Sequence, residues 1–406
     1  MEYNRIMEKV TLAIIGGGAA GLMLANSLEN SKGALVIERG ERLGKKLSST
    51  GNGQGNLTNL GVLDAEYFSV GKKSPFVENI IKAHDDKSIT EFFRSLGVLC
   101  IADERGRVYP SGRQASALTD ALRFALARKG VETRLQTQVT KLEGKGEGFI
   151  LTLQTPSGEE KLYADKVVLC AGGKAAKNFG TDGSAYALAQ GFGHTVTKLY
   201  PSLVQLKTNT EHTKTLKGIR INDGVIEVKT PTRALSVRGD IIFTDYGVSG
   251  DAVFRLSAFI ADEIEKGQCE LYLDFLPQYT EEEVYALLRE KKSAFPDMAV
   301  GELLFGVVNN QVGRAVLRRA ANDLKAAASL VKAFPLTVTG SLGFDYAQVT
   351  KGGIPLTEVD EGLESRLKKG LYFAGEILDV DGQCGGFNLQ WAYASARTVA
   401  QSLEEK

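Results

Sequence analysis

Three glycines, Gly16, Gly18 and Gly21, stand at the spacing G-x-G-x-x-G, and an acid, Glu38, follows 22 residues after the first of them. This set suits a dinucleotide. The first glycine permits a tight turn, the second lets a pyrophosphate meet the backbone, the third brings a helix against a strand, and the acid accepts hydrogen bonds from ribose hydroxyls. Ala19 and Ala20 would open that helix with free N–H groups for the phosphates, and Arg39 follows the acid. On this reading a methyl group added at Gly16 would meet the pyrophosphate. A second set lies near the C-terminus: Gly375–Glu376, then Gly385 and Gly386 ahead of Phe387, Asn388 and Leu389. A glycine–acid pair after a last strand suits the ribityl and phosphate region of a flavin. A helix opening on glycines aims N–H groups and its positive end at the pyrimidine edge of such a ring. The run "AGGKAA" offers Ala171 and Gly172 but does not complete a second G-x-G-x-x-G. The expected cofactor is therefore FAD, bound non-covalently, with no separate nicotinamide domain.

The stretch "STGNGQGNLTN", 49–59, holds three glycines, three asparagines and a glutamine, too polar and flexible for packed core. It is expected to close over the flavin. Thr50, Gly51 and Asn56 would contact it, with amides reading ring edges, while Lys46 would neutralise a phosphate. A flavin takes hydride from a C–H held over its face, so the protein must supply positioning and desolvation, and whether it also supplies a base stays open. The three histidines, His84, His194 and His212, fall outside the flavin motifs and read as structural. Asp245, on a glycine-containing loop, is the candidate acid to meet a cationic amine, and Tyr109, with Arg113 nearby, is the candidate to face the flavin cavity. Cys100, Cys170, Cys269 and Cys384 form no C-x-x-C pair, so no metal site, redox dithiol or disulfide framework is expected.

These residues need elements to position them. "KVTLAIIGGGAAGLMLANSLEN" reads strand, glycine turn, helix, and "ALVIER" is a second strand ending at Glu38. "ADKVVLC" and "GVETRLQTQVTKLE" supply two more strands of the same sheet, the latter placing Val139 against adenine. From about residue 195 to 275, short β-type runs such as "GVIEVKT", "TRALSVRGDIIFT" and "CELYLDF" alternate with turn signals, as in a small barrel or sandwich. Val253, Leu256, Phe259, Ile260 and Ile264 make a helical stripe within it that reads as core. Residues 280–334 are mainly helical with a break at Pro296, and "PLTVTGSLGFDYAQVTKGGI" leads back to the first domain. The organisation is α/β: a discontinuous FAD-binding domain over 1–194 and 345–406, with an insert over 195–344 that is mainly β to 278 and mainly helical over 279–334. The insert would be the lid.

Composition bounds the partners. The chain has 406 residues, 43% hydrophobic and 24% charged, and Lys+Arg and Asp+Glu both total 49. With no basic cluster, neither a nucleic acid nor an anionic membrane surface is expected as partner, and a small-molecule substrate is. The N-terminus lacks a basic-then-apolar leader, and no run approaches the roughly 18 apolar residues of a membrane helix, so the expected compartment is the cytoplasm.

The runs "IIGGGAAGLMLA", "GKKLSSTGNGQGNLTN", "RVYPSGRQASAL", "GTDGSAYALAQGFGHTV", "DIIFTDYGVSGDAVFRLS", "AQVTKGGI" and "GLYFAGEILDVDGQCGGFNLQWAYASA" closely resemble the aminoacetone oxidase family of FAD-binding enzymes, which includes dehydro-bile-acid reductases. The resemblance covers nearly the whole chain in order. It implies a glutathione-reductase-type FAD-binding Rossmann domain, discontinuous and interrupted by an inserted domain. The chain departs from the family at Gln54 and Gly55, where Arg-Cys is usual, and at Asp245 and Asp251, where His and Pro are common. The activity this implies is oxidation of a small primary amine with oxygen as acceptor, giving an imine that hydrolyses and hydrogen peroxide. Two other activities stay open: reduction of an activated C=C bond with NAD(P)H as donor, and a flavin-stabilised interaction protein without turnover.

Overall fold

A computed structural model describes residues 7–65, 67–69, 72–230, 234–267 and 269–405. Residues 1–6, part of the N-terminal reading, and Thr232 and Arg233, which open the run "TRALSV", lie outside the described residues. The chain forms two compact units, one built from Met1–Tyr200 with Val349–Lys406 and the other from Pro201–Gln348.

The first unit is organised on a seven-stranded sheet. Its neighbours in order are Glu132–Arg134, Ala34–Ile37, Glu8–Ile15, Gly158–Leu169, Gly148–Thr155 and Gln138–Lys145. The short strand Leu371–Phe373 pairs in parallel with the end of Gly158–Leu169. Pairing is parallel from Glu132–Arg134 to Gly158–Leu169 and antiparallel beyond it. Ala34–Ile37 is buried throughout, as is the end of Glu8–Ile15, because helices cover a parallel sheet on both faces. One helix, Ala19–Ser27, is buried from Ala20 onward and packs against the final helix, Phe387–Glu405. The segment "GVETRLQTQVTKLE" is not one strand but two. A turn at Gln136, with left-handed φ, separates the parallel strand Glu132–Arg134 from the antiparallel strand Gln138–Lys145.

The second unit is a closed antiparallel barrel of six strands. In order these are Leu206–Thr208, Gly247–Ser249, Ala234–Phe243, Arg220–Lys229, Cys269–Asp274 and Phe334–Ser341, the last pairing back onto the first. Phe334–Ser341 thus completes the barrel, and the run that leads back to the first unit begins only after it. Of the stripe, Val253, Leu256 and Ile260 are fully buried and Phe259 and Ile264 partly so, and the helix is broken at Ile260 into Asp251–Phe259 and Ala261–Ile264. Beyond the barrel strands, Glu281–Ala294 begins at a capping box: Glu283 N donates to Thr280 Oγ1 at 3.2 Å and Thr280 N to Glu283 Oε2 at 2.8 Å. Asn310–Arg319 and Leu324–Lys332 follow. Among the described residues no helix is long and apolar enough to cross a membrane.

Candidate functional site

The strand Glu8–Ile15 runs into Gly16, whose φ of 108° favours glycine. A methyl group at Gly16 would lie 2.6 Å from Cys170 O and 2.7 Å from Ala171 Cα. It would strike the neighbouring strand's end, a backbone clash that arises whether or not a ligand is bound. Gly21 closes the turn from the other side, where a methyl would lie 1.9 Å from Gly16 O. Gly18 differs from both: a methyl there would have nothing within 4 Å, and φ −81°, ψ −161° is open to any residue. The helix begun by Ala19 and Ala20 has no side-chain cap and no acid in its first turn. The first N–H groups therefore have neither a side-chain cap nor a carboxylate of their own turn to answer them, and the space beside Gly18 is open.

Glu38 is held by both of its carboxylate oxygens. Its Oε2 accepts from Gly17 N at 2.8 Å and its Oε1 from Gly40 N at 2.6 Å, fastening the acid to the glycine turn. Glu38→Ala leaves both N–H groups without their acceptor and should lower stability by about 1–3 kcal/mol, read by urea unfolding. Thr137 N donates to Glu38 O at 3.0 Å, bringing the chain past the acid two residues before the buried Val139. Arg39 is not left for the nucleotide alone. Its Nε donates to Gly180 O at 2.7 Å and its Nη1 meets Asp182 at 2.8 Å. Burial would raise the Asp182 carboxyl, but hydrogen bonds from Arg39 and Ser184 outweigh it and pull it down to about 2.

The C-terminal set comes to the same place. A methyl on Gly375 would lie 2.8 Å from Ala20 Cβ, so the end of Leu371–Phe373 rests on the first turn of Ala19–Ser27. Ser395 Oγ accepts from Gly375 N at 2.9 Å, and Trp391 Nε1 donates to Gly375 O at 3.2 Å. Glu376 accepts from Thr350 N at 2.8 Å and pairs with Lys46 at 2.8 Å. Lys46 therefore has a carboxylate partner, where sequence reasoning reserved its charge for a phosphate. Ala171 abuts Gly16, and a methyl on Gly172 would lie 2.9 Å from Thr181 Cγ2.

The loop 49–59 is tied to the glycine turn ahead of the last helix. Asn59 Nδ2 donates to Gly385 O at 3.2 Å. With its amide turned to satisfy both ends, Asn56 accepts from Gly386 N and donates to Thr58 O, each at 3.1 Å. Thr50 Oγ1 is spent on Leu47 O at 2.8 Å, while Gly51 is exposed. Asn388, expected at the flavin, turns its amide to its own approach loop, accepting from Gly382 N and donating to Gly382 O at 2.9 Å each. These amides serve backbone groups that a glycine-rich turn leaves without strand or helix partners. Leu389 packs partly buried on the core, and Gln390 N makes the bond to Gly386 O that begins the helical ladder, at 3.0 Å. The N–H groups of Phe387, Asn388 and Leu389 precede that ladder.

Tyr109 is buried on the strand Arg107–Pro110, and burial raises its hydroxyl pKa. The Arg113 guanidinium covers its ring 4.5 Å from the centre, and Arg113 Nη1 donates to Gln54 Oε1 at 3.1 Å. Tyr109, Arg113 and the loop 49–59 are thus brought together, a link between residues 59 apart that no local pattern announces. Asp245 is placed otherwise. In the second unit its carboxylate meets Lys217 at 2.7 Å with both side chains largely exposed. His194 is structural as expected, with Nδ1 on Glu358 and Nε2 on Ser365, both at 2.7 Å. Sequence reasoning passed over Lys351, Asp379 and Asp381, all buried. Their signal was the pair of acids in "ILDVDG", polar residues at alternate positions in an otherwise apolar run.

The family described as HI0933-like protein Rossmann domain matches residues 10–402. The 3-dehydro-bile acid delta(4,6)-reductase of Clostridium scindens is 34% identical over 97% of this chain and 99% of its own length. The ribosomal RNA dihydrouridine synthase of Escherichia coli K12 is 27% identical over 98% of each chain. Among solved structures, the 3-ketosteroid-delta4-(5alpha)-dehydrogenase of Rhodococcus jostii RHA1 shares the fold with a TM-score of 0.52, at 16% identity, over 100% of this chain and 99% of that one.

Proposed function

The chain belongs to the HI0933-like Rossmann family and is an FAD-dependent oxidoreductase; from that premise we propose that it reduces a carbon–carbon double bond conjugated to a carbonyl in a small, largely apolar molecule, with NAD(P)H as transient electron donor. The observation that carries the reading is the 34% identity, end to end, to a reductase whose name places the reacting double bonds beside an oxidised carbon of a bile acid. When bound, FAD supplies two-electron exchange with both a nicotinamide and a carbon acceptor. The chain's own residues supply the rest. Gly18 and the first N–H groups of Ala19–Ser27 would hold the pyrophosphate, and Glu38 the ribose, as the open space above Gly18 and the uncapped helix support. The first N–H groups of Phe387–Glu405 would take the pyrimidine end, and Tyr109 under Arg113 would line the approach.

Amine oxidation, favoured from sequence by the missing nicotinamide domain and the resemblance, has Asp245 as its candidate to meet the substrate's charge, and that carboxylate pairs with Lys217. We therefore prefer the reductase reading that the sequence held as alternative. Net charge of zero favours a small acceptor over ribosomal RNA, whose binding draws on excess Lys and Arg. The test is anaerobic. Holoprotein is reduced with NADH or NADPH and mixed with a 3-oxo-Δ4,6 steroid acid or with uridine-containing RNA; oxidised holoprotein is mixed with small amines. Return of the yellow band with the dienone is expected. Bleaching by an amine, reversed by air with peroxide release, would restore the oxidase, and re-oxidation by RNA alone would replace the acceptor class.

A further inference from the structure

Two acids and a lysine are buried together beside the first turn of the last helix. Asp379 and Asp381 are 0% and 3% exposed, and Lys351, at the end of the strand Val349–Lys351, is 9% exposed. Asp381 is pinned by its backbone, exchanging N–H···O bonds with Phe68 at 3.1 Å each way. The next residue, Gly382, is held at both N–H and carbonyl by the amide of Asn388 in that helix turn. The Lys351 ammonium lies 6.0 Å from the centre of the Phe68 ring. Asp381 Oδ1 has no hydrogen-bond partner among the described residues. Burial raises its carboxyl to about 6, Lys351 opposes the rise and Asp379 adds to it. Ionisable groups facing the set are Tyr186, whose hydroxyl pKa is raised by burial and by the charges of Glu376 and Asp379, Tyr67, whose hydroxyl donates to Phe387 O at 3.3 Å, and exposed Lys73, which pairs with Phe68 across a short hairpin.

We propose that Asp381 is the proton store of this flavoenzyme, taking one proton from solvent for every two electrons that enter the cofactor and releasing it when they leave. The first turn of the last helix is where electron density on a bound ring would be felt. Added negative charge there, acting through a low-dielectric interior, raises the proton affinity of a carboxylate oxygen that no hydrogen bond pins. The balance is two electrons and one proton onto the cofactor and a second proton onto Asp381 Oδ1. When the electrons pass to a C=C acceptor, that acceptor gains two hydrogens and Asp381 returns to carboxylate. The last transfer rests on the reductase reading, whereas the uptake rests only on bound FAD.

The measurement is therefore free of organic substrate: a dye-equilibrated redox titration of the holoprotein at a series of pH values, giving protons taken up per two electrons. Wild type should take two near about pH 7 and fall towards one at higher pH. Asp381→Asn should take one throughout that range. Lys351→Met, which removes the opposing ammonium, should move the change from two to one to higher pH. Wild-type uptake of one at every pH, two protons retained in Asp381→Asn, or an unmoved change in Lys351→Met would each overturn the proposal. Failure of the dienone to re-oxidise the flavin would overturn the reductase reading and leave these counts standing.

Discussion

Gly18→Ala should yield a protein that melts with wild type and has lost its flavin. The two halves of this result have separate causes. The added methyl finds nothing within 4 Å, and the backbone at φ −81°, ψ −161° already suits alanine, so the protein without ligand has no reason to destabilise. A pyrophosphate drawn onto the N–H groups of Ala19–Ser27 must come against that same spot, and the methyl would hold it off. Crowding of this kind costs about 1–3 kcal/mol, or roughly ten- to a hundredfold in affinity. Flavin absorbance per protein after purification, set beside a thermal melt of stripped protein, reads both halves. Wild-type flavin content would remove the pyrophosphate from this turn.

Gly21→Ala, three residues along, should do the opposite and disable the fold. Its methyl would lie 1.9 Å from Gly16 O and 3.4 Å from Ile14 Cγ2. The carbonyl is backbone at the end of the central strand, where Gly16 N is already bonded to Ile37 O at 2.8 Å, and it has no rotamer to escape into. Helix and strand must separate, disturbing fully buried Leu22, Met23 and Leu24. A loss above about 3 kcal/mol is expected, a large share of the 5–15 kcal/mol that holds an ordinary domain together. Urea unfolding of the stripped protein gives the number, and a midpoint equal to wild type would contradict the packing described.

The contrast marks what could be read from the chain. The strand, turn and helix that carry Gly16, Gly18 and Gly21 were legible because local spacing encodes them, and the barrel was legible from alternating short runs. What sequence could not supply was the far partner of each polar side chain. Lys46 and Glu376 look like two free charges until they meet across 330 positions, and Asp245 looks available until Lys217 answers it. Asn56 and Asn59 have the right groups to read a ring edge, yet the turn at Gly385–Gly386 presents backbone donors and acceptors that claim them first. Asp381 was passed over because its character comes from burial and from Lys351, and neither is a property of its neighbours in the chain.

The interruption of the first unit also bears on how the polypeptide acquires its shape. The barrel is contiguous from Pro201 to Gln348 and can close on itself as synthesis passes that point. The sheet around Glu8–Ile15 cannot be completed so early. The strand Leu371–Phe373 and the helix Phe387–Glu405 that packs on Ala19–Ser27 are made only after the barrel. Until they emerge, the end of Gly158–Leu169 is an unpaired edge and the inner face of Ala19–Ser27 is bare, the kind of surface that invites aggregation. Nascent chains halted before residue 370 should therefore contain a closed barrel and an unfinished first unit, and the ability to hold flavin should arrive only once Phe387–Glu405 has been made.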